Sequence, residues 1–184
     1  MDGLIPGYTE TRRFVSANIG ELCGGGILGP NSKVTFGTIV DGSSNVMLVG
    51  EQSTFYFTTT GAKKDWRTSG GLGFQIGVGT TSEVTSTPPN FTGNPFTFNF
   101  YTVRYPINKN RGWADPSGTM AIGVGQINPT SYITAINLPL NSAHPGGIVV
   151  VLGDGSVRFV GETTTLTALA QLATRDDGTP LGDF

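Results

Sequence analysis

Residues 141–162 read NSAHPGGIVVVLGDGSVRFVGE, two runs of β-branched and aromatic residues separated by Gly153-Asp154-Gly155. Valine and isoleucine are stiff at χ1 and pack well on a pleated surface, so both runs predict strands. An Asp-Gly pair is the strongest short-range mark of a two-residue type I′ hairpin loop, which requires positive φ at both of its residues. With Asp154 and Gly155 as that loop, Gly153 faces Ser156, Leu152 faces Val157, Val151 faces Arg158 and Val150 faces Phe159. Alternation then gathers Ile148, Val150, Leu152, Val157 and Phe159 on one face, the expected core. The other face carries Val149, Val151, Arg158 and Val160. It is too apolar for open water and predicts a cover, from a neighbouring loop, the helix or another subunit.

The rest of the chain agrees with a β protein. Its 184 residues suit one domain with a sizeable core. The 28 glycines and 11 prolines, with abundant Thr and Ser, favour strands joined by turns over helices. Residues 36–51, FGTIVDGSSNVMLVGE, place a cluster of turn formers between two apolar runs, predicting a hairpin or tight corner with both flanks buried. Residues 53–61 alternate aromatic and hydroxyl side chains with the period of a half-buried strand. From residue 66 the chain is dense in Gly, Thr and Pro, a long excursion that ends in an aromatic strand over 96–105. Residues 108–141 read as loops and short strands. Only residues 163–175, TTTLTALAQLATR, are helical in pattern: Thr163 or Thr164 caps the segment, and Leu166, Leu169, Ala170 and Ala173 share a face that should lie on the sheet. The expected fold is mainly β, with antiparallel sheets, long loops and one short C-terminal helix.

Charge narrows the partners. Charged residues make up 13% of the chain, the net charge is −2 and the 11 basic residues are scattered, which gives no footprint for nucleic acid or anionic lipid. No run of about 18 apolar residues occurs, and residues 1–14 hold no apolar core of signal-peptide length, so neither a membrane span nor an export address is expected. Cys23 is the single cysteine, which excludes an intrachain disulfide and leaves the compartment open.

His144 is the single histidine and therefore the one candidate general base for a Ser-His-Asp arrangement, but no nucleophile-elbow motif accompanies it. A metal site needs about three protein ligands, and only Asp154 stands in a fixed sequence relation to His144. A strand over 148–152 would hold the two at its opposite ends. The expected role of His144, ahead of Pro145-Gly146-Gly147, is to tie a turn to a neighbouring backbone group. No catalytic residue, metal ion, cofactor or small-molecule substrate is assigned. Trp66 and Trp113 are expected in the core rather than in a sugar platform. Asn90-Phe91-Thr92 is a glycosylation sequon in a Thr/Ser/Pro-rich loop, whereas Pro129 disqualifies Asn128.

His144, nine intervening residues, and Asp154-Gly155 followed by SVRF resemble the C-terminal signature of a bacterial prepilin-associated family. NSAHPGG, DGSVRF, the helix ending in LATRDDG, and IVDGSSNVMLVGE upstream are similar to that family's recurring blocks, in its order, and bracket residues 36–184. The resemblance marks Asp41, Gly42, Asn45, Glu51, His144, Gly146, Gly147, Asp154, Gly155 and Arg158 as motif positions. It implies a pilin-head-like β domain, an extracellular or cell-surface location and a structural role without catalysis. Members usually begin with a long apolar stem helix, which this sequence lacks. The rival roles are a minor pseudopilin of a secretion or DNA-uptake apparatus and a surface module for glycan or calcium. Calcium would draw on the RDDGTPLGD stretch, with Asp176, Asp177 and Asp183.

Residues 1–19 form an N-terminal arm beside a β-rich domain over 20–184. The arm contains a β-capable run around Arg12, Arg13, Phe14 and Val15, preceded by an extended segment that spans about 26 Å if eight residues extend at some 3.3 Å each. Such a strand either pairs within its own chain or is donated to the sheet edge of a neighbouring copy, propagating a homopolymer.

Overall fold

The computed structural model describes residues 10, 12–16, 20–28, 33–53, 55–65, 77–78, 97–98, 103, 105–113, 139–179 and 181. Ten strands and one α-helix lie among them: β1 (Arg13–Ser16), β2 (Gly20–Cys23), β3 (Met47–Gly50), β4 (Phe55–Thr58), β5 (Lys63–Asp65), β6 (Gly77–Val78), β7 (Thr97–Phe98), β8 (Arg111–Trp113), β9 (Gly147–Leu152), β10 (Val157–Gly161) and α1 (Leu166–Ala173). The expected class holds: the chain is mainly β, with a three-stranded antiparallel sheet and one short C-terminal helix.

That sheet has the order β10-β9-β3. The predicted hairpin forms, but with another loop and another register. Val157 faces Val151, Arg158 faces Val150, Phe159 faces Val149 and Val160 faces Ile148. Leu152 N donates to Ser156 O at 2.9 Å, and Gly155 N to Leu152 O at 2.9 Å. The loop is therefore three residues, Gly153-Asp154-Gly155, a turn closed by a glycine bulge with Gly155 at φ +84°. The type I′ loop would have demanded positive φ at Asp154 as well. The three-residue loop asks for one left-handed residue and fills it with glycine, the residue without a Cβ penalty there.

One residue of register turns every side chain of β10 to the opposite face. Ile148, Val150 and Leu152 are buried as expected, and they are joined by Val160. Val157 and Phe159, expected in the core, are 64% and 55% exposed. They share the outer face with Val49, Val149 and Val151. Arg158 lies on the inner side opposite Val150, at the exposed rim.

The inner face meets α1. Leu169, Ala170 and Leu172 are buried in one cluster with Ile148, Val150, Leu152 and Val160, while Val103, Ile107 and Leu140 close it from the loops. Burial of a side chain such as Leu152 or Leu172 contributes about 1.5–3 kcal/mol. The cap is Thr165, whose Oγ1 accepts from Ala168 N at 3.2 Å. Neither Thr163 nor Thr164 does this, because the 161–164 turn that ends β10, closed by Thr164 N on Gly161 O at 3.1 Å, uses them first.

The 36–51 block forms a corner and not a hairpin. Phe36–Thr38 is one 3₁₀ turn, and only β3 follows the turn formers. Of the flanks, Ile39 and Val46 are buried, whereas Phe36 and Val40 face solvent, since a 3₁₀ turn does not hold successive side chains to one side. A second sheet, β5-β4-β8, is mixed: β4 runs antiparallel to β5 and parallel to β8. The parallel pair is possible because more than fifty residues separate β4 from β8, enough for a crossover. Lys63 and Arg111 lie over the rings of Phe55 and Phe57, 4.2 and 4.3 Å from their centroids. β6 pairs with β7, which marks part of the aromatic strand expected over 96–105. β1 pairs with β2 of the same chain, so the β-capable run of the arm finds its partner at home. Among the described residues no helix is long and apolar enough to cross a membrane.

Candidate functional site

The motif positions other than Arg158, which lies opposite Val150, collect at the two ends of β9. At the Leu152 end the Gly153–Gly155 loop lands on the 41–46 corner, with Gly153 N donating to Val46 O at 2.8 Å and Asp154 N to Ser43 O at 3.0 Å. A Cβ on Gly153 would lie 2.7 Å from Ile27 Cδ1 and 3.0 Å from Ser43 O, so this approach needs the bare backbone. Asp154 points outward and closes its own loop: Oδ1 accepts from Ser156 N at 2.8 Å and from Ser156 Oγ at 2.6 Å. The bond from the Ser156 hydroxyl, then that from its N–H, holds the Asp154 carboxyl below the ordinary aspartate range.

Asp41 joins the same corner to the end of the chain. Its Oδ2 accepts from Asp177 N at 2.8 Å and its Oδ1 from Gly178 N at 2.9 Å. Its own N donates to Arg175 O at 3.2 Å, and Asn45 Nδ2 donates to Asp41 O at 2.9 Å. Gly42 supplies the carbonyl that receives Asn45 N at 2.9 Å. Arg175 Nη1 reaches Gly24 O at 2.8 Å and Gly26 O at 2.6 Å, fastening the loop after β2. Arg12 forks onto Asp176 through Nη1 at 2.8 Å and Nη2 at 2.5 Å, and onto Glu10 through Nε and Nη2, both at 2.9 Å. Those hydrogen bonds, to Glu10 first and Asp176 second, raise the Arg12 pKa and keep the guanidinium charged.

At the other end of β9, His144 is exposed in the bend before Pro145-Gly146. Its backbone N donates to Ser142 Oγ at 3.1 Å. The expected tie through the ring is not made among the described residues; the backbone already closes this turn, because Gly146 O receives Glu162 N at 2.8 Å. Glu51 Oε2 accepts from Val149 N at 2.7 Å and extends the β3–β9 ladder with a side chain. A Cβ on Gly147 would fall on Val160 O and 2.6 Å from Phe159 Cζ, so the phenyl ring covers a strip that only glycine leaves open.

Two asparagines that the sequence analysis did not single out organise this end. Asn141 is fully buried; its Oδ1 accepts from Ser53 N at 2.8 Å while its N donates to Glu51 O at 3.2 Å. Asn108, at φ 59°, donates from N to Leu140 O at 2.9 Å, accepts Ser142 N on Oδ1 at 3.0 Å and reaches Glu162 Oε2 from Nδ2 at 3.1 Å. Asn141 opens the NSAHPGG block, and Asn108 follows Pro106-Ile107 in a turn, a position where asparagine tolerates left-handed backbone. Both signals were present in composition; their partners lie far away in sequence.

His144 and Asp154 are thus kept apart by the six residues of β9, about 20 Å at some 3.3 Å each. Among the described residues no three His, Cys, Asp or Glu side chains are grouped to hold a metal ion. Of the calcium candidates, Asp176 is engaged by Arg12, and Asp177 Oδ1 accepts from Thr179 N at 2.7 Å while its Oδ2 is buried with no hydrogen-bond partner among the described residues. Asp183, Asn90 and Trp66 lie outside the described residues, as do the side chains of Arg13, Phe14, Val15 and Trp113. What the arrangement does chemically is bind backbone: Asp41, Asp154, Glu51, Asn108, Asn141 and Arg175 each hold main-chain groups.

The chain belongs to the family described as Protein of unknown function (DUF1559), whose model matches residues 2–167. The match takes in the 41–51 corner, both ends of β9 and all of β10, and ends inside α1. No curated protein and no solved structure matches the chain.

Proposed function

We propose that this protein is a non-enzymatic structural subunit of an extracellular filament or pilus-like surface assembly, with its β domain in the role of a pilin head. Family membership is compatible with a pilin-like surface protein, and the NSAHPGG, DGSVRF and DGSSN blocks resemble the prepilin-associated signature. The observation that carries the reading is the work those blocks do. Their polar side chains fasten loops to one another at the two ends of a strand, as Asp41 does with the N–H groups of Asp177 and Gly178, and among the described residues no group of three His, Cys, Asp or Glu side chains gathers around the lone histidine. A motif spent on shape suits a protein whose function is its shape.

Antibody labelling of intact cells with negative-stain microscopy of sheared surface material tests this. The expected result is labelled fibres. Labelled protein found only inside cells, or only as monodisperse particles, would overturn the reading.

A further inference from the structure

We infer that Asp177-Gly178 is a site of spontaneous isoaspartate formation, held in check by the carboxylate of Asp41. An aspartate followed by glycine cyclises when the glycine amide nitrogen, having given up its proton, attacks the aspartate Cγ: a C–N bond forms and one carboxyl oxygen leaves as water. Water then opens the cyclic imide at either carbonyl. One opening restores aspartate. The other carries the main chain through Cβ and Cγ and leaves the former main-chain carbonyl as a free carboxylate, so that no atom is gained or lost overall. Glycine favours the attack because it has no Cβ to obstruct the approach. Three such pairs lie among the described residues, Asp41-Gly42, Asp154-Gly155 and Asp177-Gly178; Asp2-Gly3 lies outside them.

The fold restrains the three pairs differently. Gly42 N donates to Ile39 O at 3.2 Å and Gly155 N to Leu152 O at 2.9 Å, so each nitrogen is tied within its own turn. The Asp41 carboxylate has both oxygens bonded, and the Ser156 hydroxyl and N–H keep the Asp154 carboxyl ionised, a poor target for a nucleophile. Gly178 has no such local tie among the described residues: its N–H donates to Asp41 Oδ1 at 2.9 Å, a side chain 137 residues away. It is exposed, at φ +68°, in irregular backbone beyond α1, where a segment opens at low cost. Asp177 Oδ1 accepts only from its own turn, at Thr179 N, and Oδ2 has no hydrogen-bond partner among the described residues. Asp41 therefore restrains the reaction twice, by fixing the Gly178 N–H on another acceptor and by placing a negative charge against the loss of its proton. The product undoes this restraint. Isoaspartate lengthens the main chain by one atom between Asp177 N and Gly178 N, so the two donors no longer match the two oxygens of Asp41, and the 41–46 corner loses its tie to the end of the chain.

Ageing of the full chain for weeks at neutral pH and physiological temperature, followed by peptide mapping with electron-transfer mass spectrometry, tests the site, because isoaspartate and aspartate give different backbone fragments. In the wild type, isoaspartate should accumulate faster at 177 than at 41 or 154. Asp41→Ala should raise the rate at 177 by at least about tenfold, the order expected when a charged acceptor is lost, and leave 154 unchanged. Ile148→Ala, which weakens the core at the far end of β9 without touching Asp41, should raise 177 much less. Faster accumulation at 41 or 154, an unchanged rate at 177 in Asp41→Ala, or an equal rise at 177 in Ile148→Ala would each overturn the proposal, the last by showing that global opening and not Asp41 governs the site.

Discussion

The two faces of the β10-β9-β3 sheet are almost equally apolar in sequence and fare very differently in the fold. The inner face, Ile148, Val150, Leu152 and Val160, is fully buried beneath α1 and the loops around Val103, Ile107 and Leu140. The outer face, Val49, Val149, Val151, Val157 and Phe159, is half-buried to exposed. Hydrophobicity did not choose between them, since either face could have served as core. For β10 the choice was made by the loop: one left-handed glycine, an Asp-Ser clasp and two backbone bonds to the 41–46 corner set the register, and register turned Val160 inward and Val157 and Phe159 outward.

The largest expected effect separates the faces directly. Leu152→Ala should cost about 2–5 kcal/mol in urea unfolding, and Val157→Thr within about 0.5. Equal losses would mean that the faces have been assigned the wrong way round. Asp41→Ala comes next, at about 1.5–3 kcal/mol, because it leaves the N–H groups of Asp177 and Gly178 without their charged acceptor; hydrogen exchange at those two amides should rise with it. Gly155→Ala should destabilise by about 1–2 kcal/mol, since alanine meets its steric penalty at φ +84°. A gain in melting temperature would contradict the three-residue loop.

Ser156→Ala sharpens the comparison through pH. The Asp154 carboxyl is depressed chiefly by the Ser156 hydroxyl. A depressed folded-state pKa gives stability that is present above the unfolded value, about 3.9, and is lost as pH falls through the folded value. The small gap between wild type and Ser156→Ala should therefore be open at neutral pH and narrow under acid titration below pH 4. His144→Gln should show the least, within about 0.5 kcal/mol by thermal melting, because its ring ties nothing among the described residues.

Much of this was legible in the chain. Strands β9 and β10, the turn between them, the corner at Asp41-Gly42 and a C-terminal helix all follow from side-chain type within a few residues, because χ1 stiffness, positive φ and helical periodicity are local properties. The separation of His144 from Asp154 was legible for the same reason, as a strand has a fixed rise. The sequence left open which turn the letters GDG would make, because Asp-Gly serves both a two-residue and a three-residue loop. It could not show that Asp41 would hold residues 177 and 178, or that Asn108 would hold 142 and 162. Those bonds join positions that only the packed chain brings together.

By itself, then, the sequence determined the β class, the places of the strands and the chemistry available at each turn, since these depend on one residue and its neighbours. Tertiary structure alone decided the register of β10, which of its side chains joined the core, and the convergence of the 41–46, 153–156 and 175–178 segments on one corner. The physical reason is that pairings one residue apart bury different sets of apolar side chains yet use the same strands. Contacts distant in sequence, here the bonds from Gly153 and Asp154 to Val46 and Ser43, are what separate their energies.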